Sequence, residues 1–404
     1  MARRIAIVGG GVIGASIAWH LAAAEAGDIV LVERARLGAG STWHSAGNIT
    51  WSARNDGPVL ATLEAAKTVA READQATGWR KTGRLFLARN AETLEDFADS
   101  IRIAEQRGYG SQLLSPEEAA RHHPLLDPGA IAGAWLNGLS GRLNPADLTA
   151  AYARAARRRG VVLREGSAVT GLVTRGGRIA GLDTADGRID ADVVVVAAGL
   201  WSRRFLAGAG VALAQWGCEH FYLIARPEPA LPAATPSFVS PEDSIYGREE
   251  VGGMLYGFFD ADAKTLDTEH GAPPDGFAFS LLDEDWDKIG VYAERAMTLF
   301  PALEHAPVTR FVNGPEAFTP DGNPLIGPVG GIDGLFVASA MNSAGVTLSG
   351  LAGRIIADTV TGAKQRLDPV PYAPDRFGER AADEAWLRET VAQTPSSHYR
   401  FSQT

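Results

Sequence analysis

The sequence predicts an α/β chain of two interleaved domains, the first built on a parallel sheet and the second, an α+β unit, on an antiparallel one. Three stretches carry that reading. Residues 4–14, Arg4-Ile5-Ala6-Ile7-Val8-Gly9-Gly10-Gly11-Val12-Ile13-Gly14, read as a buried strand that enters a helix through a glycine turn. The four valines of 193–196 imply a strand buried on both faces, hence a neighbour of the first in a parallel sheet. From Cys218 to about Phe318 the texture changes to short alternating runs broken by Gly, Pro and Asp, the pattern of an antiparallel sheet.

The first stretch is the most informative. Gly9, Gly11 and Gly14 fit G-x-G-x-x-G, in which the first glycine permits the tight turn, the second lets backbone approach a pyrophosphate, and the third lets helix and strand pack closely. The amides at the helix start, around Val12 and Ile13, are then an anion site. Ile13, Ile17 and Leu21 repeat at helical spacing up to Gly27, and a second apolar run at 29–32 ends in Glu33. An acid at that distance is placed to bind ribose hydroxyls. Strand, turn, helix, strand and acid stand in order, so a Rossmann-like dinucleotide-binding unit is expected.

After Glu33, residues 34–48 have no period and form a small-residue loop. Helices are expected at 58–78, at 94–104 on the spacing of Leu94, Phe97, Ile101 and Ala104, and after the capping box Ser115-Pro116-Glu117-Glu118. His122-His123 closes that last helix. Adjacent side chains diverge, so the pair is a poor metal site and reads as end-capping polar residues. Strands are expected at 83–89, 131–136 and 161–164. Asn144 and Pro145 start a helix running to Gly160, and 169–192 forms a small antiparallel meander. In the second domain, strands are expected at 219–225, 244–249, 254–260 and 309–318, with a helix near 285–300. The chain then returns through Thr319-Pro320-Asp321 to a buried strand at 335–339. Asn342 to Thr347 opens a final helix in which Gly350 and Gly353 allow close packing.

Composition narrows the class further. At 404 residues, 46% hydrophobic and 21% charged, the chain is ordinary globular material with a sizeable core. A net charge of −10 without a basic face argues against nucleic acid. No apolar run approaches a membrane span. Met1-Ala2-Arg3-Arg4 resembles the start of a signal peptide, but the apolar stretch behind it is the glycine-fingerprint strand, so a cytoplasmic protein is expected. The single cysteine, Cys218, excludes an internal disulfide and a cysteine-pair redox centre, and no metal site is expected.

Together these residues resemble the D-amino-acid-oxidase type of FAD enzyme, also described as glutathione-reductase-like, over nearly the whole chain. The dimethylglycine and sarcosine dehydrogenase branch is the most similar. The signatures are Gly9, Gly11, Gly14 and Glu33, the loop Gly40-Ser41-Thr42-Trp43-His44-Ser45-Ala46-Gly47, Asn144-Pro145, Ala197-Ala198-Gly199, His220-Phe221-Tyr222, Arg248-Glu249, and 319–327. The resemblance implies a discontinuous FAD-binding domain (1–80, 141–210 and 319–380), a substrate domain (81–140 and 211–318) and a C-terminal arm (381–404). It implies FAD contacts from Val12, Ile13 and Arg34, from Ser41, Thr42, His44, Ala46 and Gly47, and from Val169, Ala198, Gly199 and Trp201. Further contacts are implied from Asn342, Ala344, Gly345, Val346 and Thr347, where a positive helix end would face the flavin. In that branch the histidine of Ser-Thr-Trp-His is bonded covalently to the flavin, which points to His44.

The implied reaction is oxidation of a secondary or tertiary amine, an N-methyl or cyclic amino acid such as sarcosine, dimethylglycine or a proline derivative. Hydride passes to flavin N5 and the imine is hydrolysed afterwards. The electron acceptor is dioxygen or an electron-transfer protein, and a homo-oligomer is compatible with the family. His220 and Tyr246 are the candidates for proton handling, with Tyr222 and Arg248 beside them. The alternatives are a non-catalytic or partner-dependent flavin subunit of a larger amine oxidase, or a flavin-dependent hydroxylase. Three departures stand out. The chain ends about where a folate-binding half would begin. No cysteine precedes the Thr-Pro-Asp region. Gly314-Pro315-Glu316 replaces the Gly-x-Arg step that holds a substrate carboxylate in glycine-oxidase-like members. Glu316 would repel an amino-acid carboxylate and favour a cationic or hydroxylated group, leaving Arg248 or Arg54 to anchor any carboxylate.

Overall fold

A computed structural model describes residues 2–395. Its central sheet has six strands in the order Leu325–Pro328, Leu335–Ser339, Val193–Val196, Arg4–Val8, Asp28–Glu33 and Val162–Glu165. All pair in parallel except the edge strand Leu325–Pro328. Alternate side chains explain why the inner strands are apolar throughout. Ile5, Ile7, Val193 and Val195 join the core beneath the helices, while Ala6, Val8, Val194 and Val196 pack towards Ile179 and Leu182 of the antiparallel meander Val169–Arg175, Arg178–Thr184 and Gly187–Asp190.

The helix layer comprises Val12–Ala23, Asp56–Ala73, Pro145–Arg158 and Ser349–Thr361, packed on one another. Asn144 caps its helix by accepting from the amides of Ala146 and Asp147 at 3.0 and 3.1 Å. Gly350 and Gly353 are where the last helix touches its neighbours: a Cβ on Gly350 would lie 2.5 Å from the Ala61 backbone, and one on Gly353 2.1 Å from the His20 ring.

The second sheet has eight strands, ordered Val308–Asn313, Phe221–Ala225, Gly253–Phe258, Ile245–Glu250, Ser237–Ser240, Arg84–Ala88, Gly133–Asn137 and Ser111–Leu114. One parallel pairing, Ser237–Ser240 with Arg84–Ala88, joins its two chain segments, and the rest is antiparallel. One face is closed by the helix Trp286–Leu299 and by Pro116–His122. The other face, bearing Phe86, Tyr246 and Leu255, shares a core with the central sheet and its helices.

Several elements differ from the sequence expectation. The helix expected at 58–78 is Asp56–Ala73 and ends because Asp74 turns left-handed at φ 50°. The helix at 94–104 is two, Ala91–Asp96 and Ala98–Gln106, divided at Phe97. His123 is not a polar cap. It is fully buried between Phe238 and Phe300, with ring centroids 5.6 and 4.8 Å away. The last helix starts at Ser349, because Asn342 and Ser343 adopt left-handed backbone and 342–348 forms turns instead. The C-terminal arm is folded as far as the description reaches: Glu384–Gln393 is a helix whose Leu387 and Val391 pack on Trp216, Cys218 and Phe318. The remainder of the arm lies outside the described residues. No helix among the described residues is long and apolar enough to cross a membrane.

Candidate active site

A cleft of about 610 Å³ runs across the C-terminal ends of the central strands, where an open α/β sheet binds its ligands. Gly9, Gly11, Val12 and Ile13 line one end. Gly9 has φ 107°, and a Cβ there would sit 2.4 Å from the Ala197 carbonyl oxygen. Gly14 lies behind the wall, where a Cβ would fall 1.9 Å from the Gly9 oxygen, so it serves the packing of helix on strand.

Glu33, at the end of the second strand, fastens this turn. Its carboxylate accepts from the Gly10 amide at 2.7 Å and the Ala35 amide at 2.8 Å. Thr42 ties the following loop to the helix start by accepting from the Val12 amide at 3.1 Å. Ser41 donates to the Pro315 carbonyl at 3.0 Å. Arg34 lies 3.9 Å from the Trp201 ring centroid and pairs with Asp275 at 3.1 Å, and Asp275 also holds Arg204. Val169, Ala198, Gly199 and Trp201 continue the wall, and Asn342, Gly345 and Val346 form the far end. The buried Asn342 accepts from the Thr319 amide at 2.9 Å and donates to the Ala340 carbonyl at 2.7 Å, which holds the turns before the last helix in place.

At that far end a smaller cavity of about 150 Å³ opens, sharing Ser45, Glu316, Ser343 and Val346 with the cleft. His44, Ala46 and Gly47 contribute one wall, Ala344 and Thr347 a second, and His220, Tyr222 and Tyr246 from the eight-stranded sheet a third. His220 Nε2 and the Tyr246 hydroxyl are 3.0 Å apart, with rings only 3° from parallel. Burial pulls His220 and His44 down to about 4, so both are neutral at neutral pH, and pushes the Tyr222 phenol up to about 12. Burial likewise raises the Glu316 carboxyl, one of whose oxygens has no hydrogen-bond partner.

Arg248 is placed differently from the expectation. It does not line the cavity, since Nε donates to the Ala46 carbonyl and Nη1 to the Glu249 carbonyl, both at 2.8 Å, and the guanidinium pairs with Glu250. Arg54 belongs to the short helix Ala53–Asn55, and its neighbours Ser52 and Asn55, rather than Arg54 itself, line the cavity. Sequence reasoning missed Phe86 and Phe259 in the cavity wall, and Asp275, Phe277 and Ala278 in the wall of the cleft. The second group sits in an aperiodic loop that carries no local signal. Phe86 does alternate as a strand residue, but which face it presents depends on the long-range pairing with Ser237–Ser240.

Residues 4–359 match the family model described as "FAD dependent oxidoreductase", DAO, and the chain belongs to this family. It is 31% identical over 389 residues to a 4-methylaminobutanoate oxidase (formaldehyde-forming) of Paenarthrobacter nicotinovorans, covering 95% of this chain and 47% of that protein. It is 30% identical over 406 residues to mitochondrial sarcosine dehydrogenase of Mus musculus, covering 98% and 44%. The chain thus spans about half the length of these relatives. The crystal structure of L-proline dehydrogenase from P. horikoshii superposes with a TM-score of 0.80 at 26% identity, over 93% of this chain and 97% of that one.

The residues fit FAD. The turn at Gly9 has no room for a side chain, Glu33 stands at the strand end beside it, and the cleft continues unbroken to the cavity holding His44 and His220.

Proposed function

We propose that this chain oxidises a secondary or tertiary amine of the N-methyl or cyclic amino-acid kind, with FAD held in the long cleft and the amine in the small cavity. The observation that carries the reading is the junction of the two spaces, where Ser45, Glu316, Ser343 and Val346 line both. When bound, FAD supplies the acceptor for a hydride equivalent from the carbon next to the nitrogen. The chain's own residues position and deprotonate. An ammonium has no lone pair to assist hydride loss, and the neutral His220, hydrogen-bonded to Tyr246, is able to hold the proton that the amine gives up. Phe86 and Phe259 supply apolar wall that restricts water around the reacting carbon. Water then hydrolyses the released iminium.

The same reading includes covalent attachment of FAD through His44, which is buried and neutral and so keeps a lone pair on one ring nitrogen. It also includes a cytoplasmic setting, in keeping with a single buried, free thiol at Cys218, and reoxidation by dioxygen or an electron-transfer protein. Anaerobic titration of the FAD-loaded chain with sarcosine, dimethylglycine, 4-methylaminobutanoate and proline tests the reaction. Loss of the oxidised flavin band with one or more of them is expected. An unchanged spectrum across the whole panel would overturn the proposal.

A further inference from the structure

Among the residues lining the small cavity, Glu316 is the only Asp, Glu, Lys or Arg. It sits on the strand Glu316–Phe318, is 8% exposed, and Oε2 is buried without a hydrogen-bond partner. The carboxyl has a hydrogen bond with Ser343, and the imidazoles that share the cavity, His44 and His220, are both held neutral by burial. Arginines near the wall are engaged elsewhere: Arg248 with Ala46, Glu249 and Glu250, and Arg142 with Glu249. Burial raises this carboxyl, because its charged form is costly without a partner. A cation arriving beside it lowers that cost and favours the ionised form, whereas an arriving carboxylate adds to it.

We propose that Glu316 is the recognition group for the substrate's ammonium, so that the amine enters nitrogen-first and any carboxylate it carries stays outside the small cavity. This rests on the amine-oxidising reading above and narrows its substrate class, placing 4-methylaminobutanoate ahead of the α-amino acids sarcosine, dimethylglycine and proline in that panel. The preferred substrates are N-alkyl amines whose remainder is neutral or hydroxylated, or whose carboxylate is several methylenes from the nitrogen. α-Amino acids, with the carboxylate one carbon away, are disfavoured. The charge-assisted bond from N–H to Oε2 orients the nitrogen before its proton is removed, and no cation lines the cavity to draw the molecule in the other way round.

Calorimetric titration of the FAD-loaded chain with tert-butylammonium, whose carbon next to nitrogen bears no hydrogen, and with acetate tests this without turnover. The expected result is that tert-butylammonium binds more tightly than acetate by at least about fivefold, and that Glu316→Gln weakens tert-butylammonium by at least about fivefold without weakening acetate. A smaller preference for the cation, a preference for acetate, or a smaller effect of the substitution overturns the proposal. If Glu316→Gln does not fold, the wild-type comparison decides alone. Failure of the amine-oxidising reading looks different, as an unbleached flavin across all amines whatever the two probes do.

Discussion

His220, one residue before the strand Phe221–Ala225, has its Nε2 3.0 Å from the hydroxyl of Tyr246 on Ile245–Glu250, and the strand Gly253–Phe258 lies between those two in the sheet. The contact fixes the imidazole of a histidine that burial keeps neutral, and a neutral ring in a fixed orientation is what a proton acceptor requires.

His220→Ala is therefore expected to slow anaerobic flavin reduction on the order of 100-fold, with FAD content unchanged. Tyr246→Phe should have a smaller effect, because it leaves the acceptor and removes only its orienting bond. Stopped-flow bleaching by the best amine measures both. A His220→Ala rate within about threefold of wild type would remove His220 from the proton-handling role.

Covalent attachment through His44 predicts a yellow acid-precipitated pellet and an intact mass raised by one FAD. His44→Ala should release the flavin to the supernatant. Gly314→Ala offers a second test, since a Cβ there would lie 2.3 Å from His44 Nδ1 and must displace the ring. It should lower the covalently bound fraction while leaving FAD bound. A colourless pellet from wild-type protein would refute the bond.

Glu33→Ala should weaken FAD binding by at least about tenfold, because it frees the Gly10 and Ala35 amides that hold the glycine turn in shape as well as removing the acid expected at the ribose. Fluorescence of released flavin on dilution reads this directly, provided it is measured in a His44→Ala background that rules out a covalent tether.

Acid should destabilise the fold through its buried histidines. His20, His44, His123 and His220 are all lowered to about 4 by burial. The unfolded chain therefore binds more protons between its ordinary histidine value near 6.5 and 4. Their contribution is complete above pH 6.5 and is lost as pH falls towards 4. At pH 5 this amounts to about 2 kcal/mol per histidine at most. His123, packed between Phe238 and Phe300, is the cleanest probe. His123→Leu should lose less of its thermal midpoint between pH 7 and pH 5 than the wild type does, and equal losses would show that His123 takes no part.

Much of this architecture is written locally. The glycine turn, the acid at Glu33, the four valines and the Asn144-Pro145 cap each report through short-range chemistry, and each stands where its pattern puts it. What failed was longer in range or more ambiguous. Tyr246 and Arg248 share a strand face by period two. Yet Arg248 stands beyond the edge of the cavity, captured by Glu250 and the Ala46 carbonyl, partners no periodicity reveals. Asn342 resembles a helix cap in sequence, but left-handed backbone at Asn342 and Ser343 spends those residues on turns, and the helix waits for Ser349. His123 looks polar in a string of letters and is buried because Phe238 and Phe300 come from distant strands.

The strand Glu316–Phe318 pairs with Trp216–Cys218, and the helix Glu384–Gln393 lies against the same two-stranded ribbon through Leu387 and Val391. The segment that presents Glu316 to the small cavity is thus buttressed by residues beyond the end of the family match at 359. Tolerance to trimming should accordingly stop well short of that boundary: a chain cut before residue 384 would keep every residue that lines the two pockets, yet bare the apolar back of the ribbon on which the carboxyl of the smaller cavity is mounted.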